Sequence, residues 1–327
     1  MGVSERLFGV HSKNEYLIGD EYSLFNMISY AQIFSYNNII TKLNTSLEEI
    51  IKFVFTRAFQ KLYSFAENAS FSIPTATSYL DKVILLAPQF ESILKQFKLF
   101  VEDGSIDFEL LQISSVPLSL KDIPSINDKK YIYLDKNNKI IDRCLKLFFS
   151  DQSFLSYVET YKEKNYHTFF DLIIKEKVKF SDYYENEQFQ LTYLIDNGLL
   201  SKDDGGFIQI ANYKRVFILK DLYENEVGSY YHYSTDSQGE VQQMEVEKIV
   251  TRESTLFTKP EQAYFNYFLN KSEFTNGHDL RNSYLHGTQA NHNEDEKHEK
   301  AYFTYLKLII LAMLKIDDDL MISKKVN

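Results

Sequence analysis

Apolar residues recur at helical intervals over most of this chain. In "TSLEEIIKFVFTRAFQKLYSFAENA" the residues Ile50, Ile51, Val54, Phe55, Ala58, Leu62 and Phe65 fall on one helical face. Ser46 with Glu49 three places on has the spacing of a capping box, so a helix is expected to start there. A helix pair is expected next, "SYLDKVILLAP" and "QFESILKQFKLFVEDG", separated at Pro88. The stretch "SSVPLSLKDIPSINDKK" (114–130) loses the periodicity and is rich in Ser, Pro and Asp, which predicts a linker.

The pattern changes after residue 130. "KYIYLDKNNKIIDRCLKLFF" predicts a short hairpin running into a helix, with Tyr131, Tyr133, Ile140 and Ile141 flanking a DKNNK turn. In "ENEQFQLTYLIDNGLLSKDDGGFIQIAN" a helix ends at Gly198, and a DDGG turn separates two short apolar runs. Helix, strand, turn and strand in that order predict a small winged-helix-like segment. From residue 212 the helical period returns in five segments. They start at "NYKRVFILKDLYENEVGSYYHYS", "EVQQMEVEKIV", "FTKPEQAYFNYFLN", "GHDLRNSYLHG" and "EKHEKAYFTYLKLIILAMLKI". Thr258, Pro260 and Glu261 mark the start of the third. The last is apolar nearly all round at 301–316, which predicts burial in a core or an oligomer interface.

The expected fold class is mainly α. Residues 1–130 form a helical N-terminal domain, 131–211 a middle segment with a winged-helix-like end, and 212–327 a C-terminal helical bundle. No internal repeat is visible in the residues.

Composition narrows the functional classes. The net charge is −10 and no segment is basic, which argues against a broad polyanion-binding surface. A single cysteine, Cys144, excludes an internal disulfide and reads as a small buried apolar residue. The first residues lack the apolar core of a signal peptide, and the longest apolar run, "LIILAML", is too short to span a bilayer. A cytoplasmic protein without a membrane partner is expected. The phosphate-binding glycine motifs and paired cysteine motifs of nucleotide and zinc sites are absent.

Chemistry concentrates near the C-terminus. Four of the seven histidines, His278, His286, His292 and His298, lie in "NGHDLRNSYLHGTQANHNEDEKHEK". Their spacing does not match the i,i+3 or i,i+4 pairs of helical metal ligands, so no metal is assigned. His292 and His298 are expected to flank an open polar loop. The other candidate is Arg281, Asn282, Ser283, Tyr284, Leu285, His286, Gly287. Asn282 and His286 share a face of an ideal helix. Arg281 and His286 do not, but Gly287 predicts a helix end whose irregular geometry brings them closer. His286 at that end would feel the helix dipole, which favours the imidazolium.

This Arg-Asn-x3-His-Gly pattern resembles the hallmark of the HEPN superfamily of helical bundles. A match that includes the Asn and the Gly arises by chance about 0.001 times per chain. The resemblance covers about residues 212–327. It implies a metal-independent endoribonuclease of bacterial defence or toxin type, with no cofactor and RNA as substrate. Two protomers of a homodimer would each supply an Arg and a His to one cleft. By this resemblance Arg281, Asn282 and His286 are the catalytic candidates. Tyr284 is a candidate for stacking a base of the substrate. Residues 1–211 would answer to a regulatory partner or trigger. Many HEPN bundles are non-catalytic, so the alternative implied is a dimerisation or interaction protein.

Overall fold

The computed structural model describes residues 14–113, 118–285 and 294–326. It is mainly helical with a small antiparallel sheet. The chain divides into two units by its internal contacts. Unit 1 holds residues 1–127 and 255–327, and unit 2 holds 128–254.

Unit 1 begins with α1 (Asp20–Lys42), none of whose residues is buried. Tyr22, Tyr30, Ile33 and Ile40 rest against the unit's core. Leu24, Phe25, Ile28, Tyr36 and Ile39 face outward and are exposed. Next come α2 (Leu47–Phe53), a π-helical turn (Val54–Ala58) and α3 (Phe59–Tyr63). The expected capping box is formed, with Ser46 Oγ accepting from Glu49 N and Glu49 Oε2 accepting from Ser46 N. The π-turn follows from the apolar spacing. Leu47, Ile51, Phe55 and Phe59 recur every four residues and are all buried. A straight α-helix has 3.6 residues per turn, so such a row would drift around it; one wider turn holds it on the core side.

The single helix α4 (Tyr79–Asp103) replaces the pair expected around Pro88. An interior proline removes one backbone bond and costs about 3 kcal/mol in isolation. Here Val83, Leu86, Ala87, Phe90, Ile93, Leu94 and Phe97 form one continuous buried stripe. That burial, at roughly 1.5–3 kcal/mol per side chain, outweighs the break. Gly104 ends the helix in the left-handed conformation (φ 72°). The short helix α5 (Phe108–Ile113) follows. The expected linker over 114–130 is largely part of unit 1 instead. Leu120 and Ile123 are buried, and Pro124 pairs with Thr255. Residues 114–117 lie outside the described residues.

Unit 2 opens with β1 (Tyr131–Leu134) and α6 (Lys139–Phe149). The hairpin expected around DKNNK does not form. Asn138 caps α6 through Ile141 N, so Ile140 and Ile141 are helical. The strand partners of β1 lie about a hundred residues away, which no local signal reveals. After α6 come α7 (Phe169–Lys175), α8 (Glu185–Asp196) and the hairpin β2 (Leu200–Lys202) and β3 (Ile208–Ile210). That hairpin is the one expected around DDGG. Then follow α9 (Tyr213–Asn225), β4 (Gly228–Ser229), α10 (Thr235–Val246) and β5 (Val250–Glu253).

These elements are a structural repeat that the residues conceal. Each feature recurs fifty positions later. The 3-10 turn Phe180–Asp182 becomes Tyr230–His232, α8 becomes α10, and Leu200 at the start of β2 becomes Val250 at the start of β5. Gln188 Nε2 donates to Tyr183 O, and Gln238 Nε2 donates to Tyr233 O. Gly198 (φ 72°) and Lys248 (φ 56°) both end their helix in the left-handed region. The following residue donates back across the turn in both copies, Leu199 N to Leu194 O and Ile249 N to Met244 O. In the first copy Lys179 pairs with Phe207, so β3 lies between that edge and β2. In the second copy β1 takes the equivalent middle place, giving the order β4-β1-β5. What recurs is burial, as in Leu172/Leu222, Leu191/Val241 and Leu194/Met244, with little residue identity.

The chain returns to unit 1 with α11 (Lys259–Leu269), α12 (Leu280–Leu285) and α13 (Asp295–Val326). The five-segment bundle expected from 212 onward is therefore not the packing unit. Its first two segments belong to unit 2, and its last three share one core with residues of α2 to α4. The apolar helix 301–316 is buried within unit 1, chiefly by α4. Its all-round apolarity is thus met inside one chain and does not call for a partner. Among the described residues no helix is long and apolar enough to cross a membrane.

Candidate functional site

The segment before α12 is held tightly. Gly277 N donates to Phe274 O and His278 N donates to Tyr267 O, both at 2.9 Å. A Cβ at Gly277 would lie 2.9 Å from Tyr267 O and 3.0 Å from Phe274 O, so only glycine fits. Asp279 follows in the left-handed region (φ 55°) and starts α12. Its carbonyl accepts from Ser283 N (3.1 Å) and Ser283 Oγ (2.9 Å). Its carboxylate Oδ1 accepts from Asn282 Nδ2 at 2.8 Å.

Arg281 leaves α12 towards α4. Its Nε donates to Glu91 Oε1 at 2.6 Å, and both side chains are half-buried. The bond uses only one edge of the guanidinium, whose Nη groups make no hydrogen bond among the described residues. The ring of Tyr305 on α13 is buried nearby, and its hydroxyl makes no hydrogen bond among the described residues. Burial, and then the Glu91 charge, push the Tyr305 pKa up; Arg281 opposes this.

Tyr284 has a different role from the one expected. It is 4% exposed, and its hydroxyl lies 2.9 Å from His298 Nδ1. Its ring belongs to the core and is not a platform for a base. The residue type is ambiguous in sequence, because an aromatic on a bundle helix packs inward or outward according to the neighbouring helices. His298 is corrected with it. It lies in the first turns of α13 and is 1% exposed, not at the edge of an open loop. Its replacement by Ala would leave a cavity and a buried Tyr284 hydroxyl without its partner. His298→Ala is expected to cost about 2–4 kcal/mol of stability. Equilibrium denaturation should show this, with a smaller loss for Tyr284→Phe.

His286, Gly287 and His292 lie outside the described residues. Of the motif, then, Arg281 and Asn282 sit on one short helix, with Arg281 turned to Glu91 and Asn282 turned back to Asp279. His278 stacks on Phe268 (centroids 5.2 Å apart, 14° between planes) and meets Tyr267 edge-on. Burial lowers its pKa, with the charges of Lys300 and Lys307 adding to the effect. Among the described residues no three His, Cys, Asp or Glu side chains come together.

Glu91 and Lys307 were not singled out by sequence reasoning. Glu91 is one polar residue on a long amphipathic helix. Lys307 is the lone charge in "AYFTYLKLIIL", a signal that was available. It lines a cleft of about 730 Å³ beside α12, together with Asn26, Tyr30, Phe268, His278 and Lys300. Burial lowers the Lys307 pKa to about 8. The unfolded chain therefore binds one more proton than the folded chain between about pH 8 and the ordinary value of 10.5. Stability should rise across that window, and Lys307→Met should lack this part of the rise. Denaturation of both proteins near the two ends of the window checks the sign. Tyrosine and other groups contribute to each curve and cancel in the difference.

No protein-family model, no curated protein and no solved structure matches this chain.

Proposed function

We propose that this chain is a metal-independent endoribonuclease of the HEPN type, working as a homodimer in bacterial anti-phage defence or as a toxin. The observation that carries the reading is the sequence motif Arg281-Asn282-x3-His286-Gly287, whose Arg281 and Asn282 lie on a short helix packed in a helical unit. Arg281 supports it further. Glu91 fixes the guanidinium through Nε and leaves the Nη fork unengaged among the described residues. A positioned arginine with a free fork suits a phosphate whose charge grows in the transition state. His286 would take the proton of a ribose 2′-OH, and Asn282 would orient the imidazole or the phosphate. Glu91 also has a cost: it already neutralises part of the charge offered to the substrate.

The dimer is needed to bring two motifs into one cleft. The exposed apolar face of α1, with Phe25, Ile28, Tyr36 and Ile39, is available for such an interface. The test is incubation of the purified chain with total RNA, beside an Arg281→Ala/His286→Ala control. Fragmentation by the control equal to that by the unmodified chain would refute the reading.

A second reading gains support from unit 2. If its two copies act as winged-helix units, the helix that precedes the last strands of each copy is the one that would reach a nucleic-acid groove. Those helices are α8 and α10. The first carries Glu185, Glu187 and Asp196, the second Asp236, Glu240 and Glu245, and neither has a lysine or arginine. This favours unit 2 as a protein-binding module through which a partner regulates or recruits unit 1, and disfavours DNA as its ligand. Exposed Tyr184 and Phe189 on or beside α8 fit a protein contact.

A further inference from the structure

Lys307 is 6% exposed, yet among the described residues no carboxylate neutralises it. Its Nζ donates to Asn26 Oδ1 at 2.7 Å. It also lies 4.6 Å from the Phe268 ring centroid and 5.6 Å from that of Tyr264. An ammonium has three donors, and only one is used among the described residues. A buried charge is costly unless paired, and an amide oxygen with two ring faces offsets that cost only in part. The charge borders the cleft beside α12, so an anion entering the cleft could complete its coordination.

The rest of the cleft agrees. Lys300 lines the same space, one helical stretch before Lys307, and makes no ion pair among the described residues. His278 lines the same cleft and feels both lysine charges. Glu296 and Glu299 also line the cleft, but Glu299 accepts the Tyr79 hydroxyl and is directed to that contact. The volume of about 730 Å³ exceeds the need of a bare ion and falls in the usual range for small organic ligands. Tyr30, Phe268 and Leu280 provide apolar wall beside the lysines.

We propose that this cleft binds the phosphate of a nucleotide, with Lys307 as the buried anchor and Lys300 as the outer contact. The phosphate comes from a free mononucleotide or from one nucleotide of an RNA strand; the recognising chemistry is the same. The site does not rest on the ribonuclease reading, since Arg281 is not among the residues that line it.

Isothermal titration calorimetry on the full chain tests it, with adenosine monophosphate, a short single-stranded oligoribonucleotide and adenosine as probes. Saturable binding of the monophosphate or the oligonucleotide is expected, at least tenfold tighter than adenosine. Lys307→Met keeps the apolar stem and removes the charge, and should weaken binding at least tenfold. Lys300→Gln, at an exposed position, should weaken it several-fold and serves if Lys307→Met does not fold. Titrating the oligonucleotide with the Arg281→Ala/His286→Ala protein, alone and with Lys307→Met added, separates this site from cleavage, and the added Lys307→Met should still weaken binding at least tenfold. Binding of the monophosphate identifies a free nucleotide as the source, and binding of the oligonucleotide alone identifies RNA. No saturable binding of either phosphate probe, equal binding of adenosine, or unchanged affinity in both lysine variants would overturn the proposal.

Discussion

Arg281→Ala and His286→Ala are each expected to abolish RNA cleavage by the purified chain. Loss of a general base costs about 10²–10⁴-fold in rate, and loss of a group that stabilises transition-state charge about 10²–10³-fold. The double variant should be no worse than the poorer single variant by the full product, because the two groups act on one step. Asn282→Ala should lose less, since the Asn282 amide is already engaged by Asp279. If Arg281 meets the phosphate charge, no metal is needed for that task, and cleavage should persist in excess EDTA. The 2′-OH is the nucleophile in this scheme. DNA should therefore be inert, and the products should end in a 2′,3′-cyclic phosphate. A bell-shaped pH profile is expected if the partner protomer's histidine acts as acid. Cleavage of DNA at a comparable rate, or loss of activity in EDTA with recovery in Mg²⁺, would exclude the mechanism.

The largest effect on stability is expected at Asp319. This residue of α13 is fully buried, and its carboxylate accepts from Ser125 Oγ (2.6 Å), Ile126 N (2.7 Å) and Asn127 Nδ2 (3.1 Å). Its carbonyl accepts from Asn127 Nδ2 as well. These bonds tie the end of the N-terminal part of unit 1 to its last helix. Asp319→Ala would take the carboxylate from the Ser125 hydroxyl and the Ile126 N–H, and would leave the Asn127 amide only the Asp319 carbonyl. A loss of about 3–5 kcal/mol is expected. Asp319→Asn keeps one acceptor oxygen and should lose less, and Ser125→Ala about 1 kcal/mol. Urea denaturation of the three variants checks the order. A loss under 1 kcal/mol for Asp319→Ala would show that the network does not hold unit 1 together.

Local features of the fold were legible wherever a short stretch carries its own physics. The capping boxes at Ser46/Glu49 and Thr258/Glu261 were readable because each capping side chain and the backbone N–H it accepts from are three residues apart. The β2–β3 hairpin was readable because Asp203 and the two glycines satisfy a tight turn locally: Asp203 Oδ1 accepts from Gly205 N and Phe207 N. The buried helix at 301–316 was readable from apolarity alone. The candidate motif was found as a pattern of residue types, which says what chemistry is present and nothing of how Arg281 is held.

Residues distant in the chain decided the rest. A break was expected at Pro88 because a proline acts locally, while the apolar stripe that carries α4 through it is satisfied by α13, some two hundred residues later. The fifty-residue repeat was invisible because burial at matching positions needs only an apolar side chain, so Leu194 and Met244 serve equally. Its second copy also borrows β1 from before the first. His298 sits among polar residues in sequence, and only the approach of Tyr284 puts it in the core. By itself the sequence determined the helical class, the places where many elements begin, and the Arg281-Asn282-x3-His286 pattern, all of which depend on neighbours within a few residues. Only the tertiary structure decided that residues 1–127 and 255–327 form one unit, that Glu91 positions Arg281, and that Lys307 is buried beside a cleft. Packing between segments hundreds of residues apart is set by shape and burial, and those have no signature in the order of the residues.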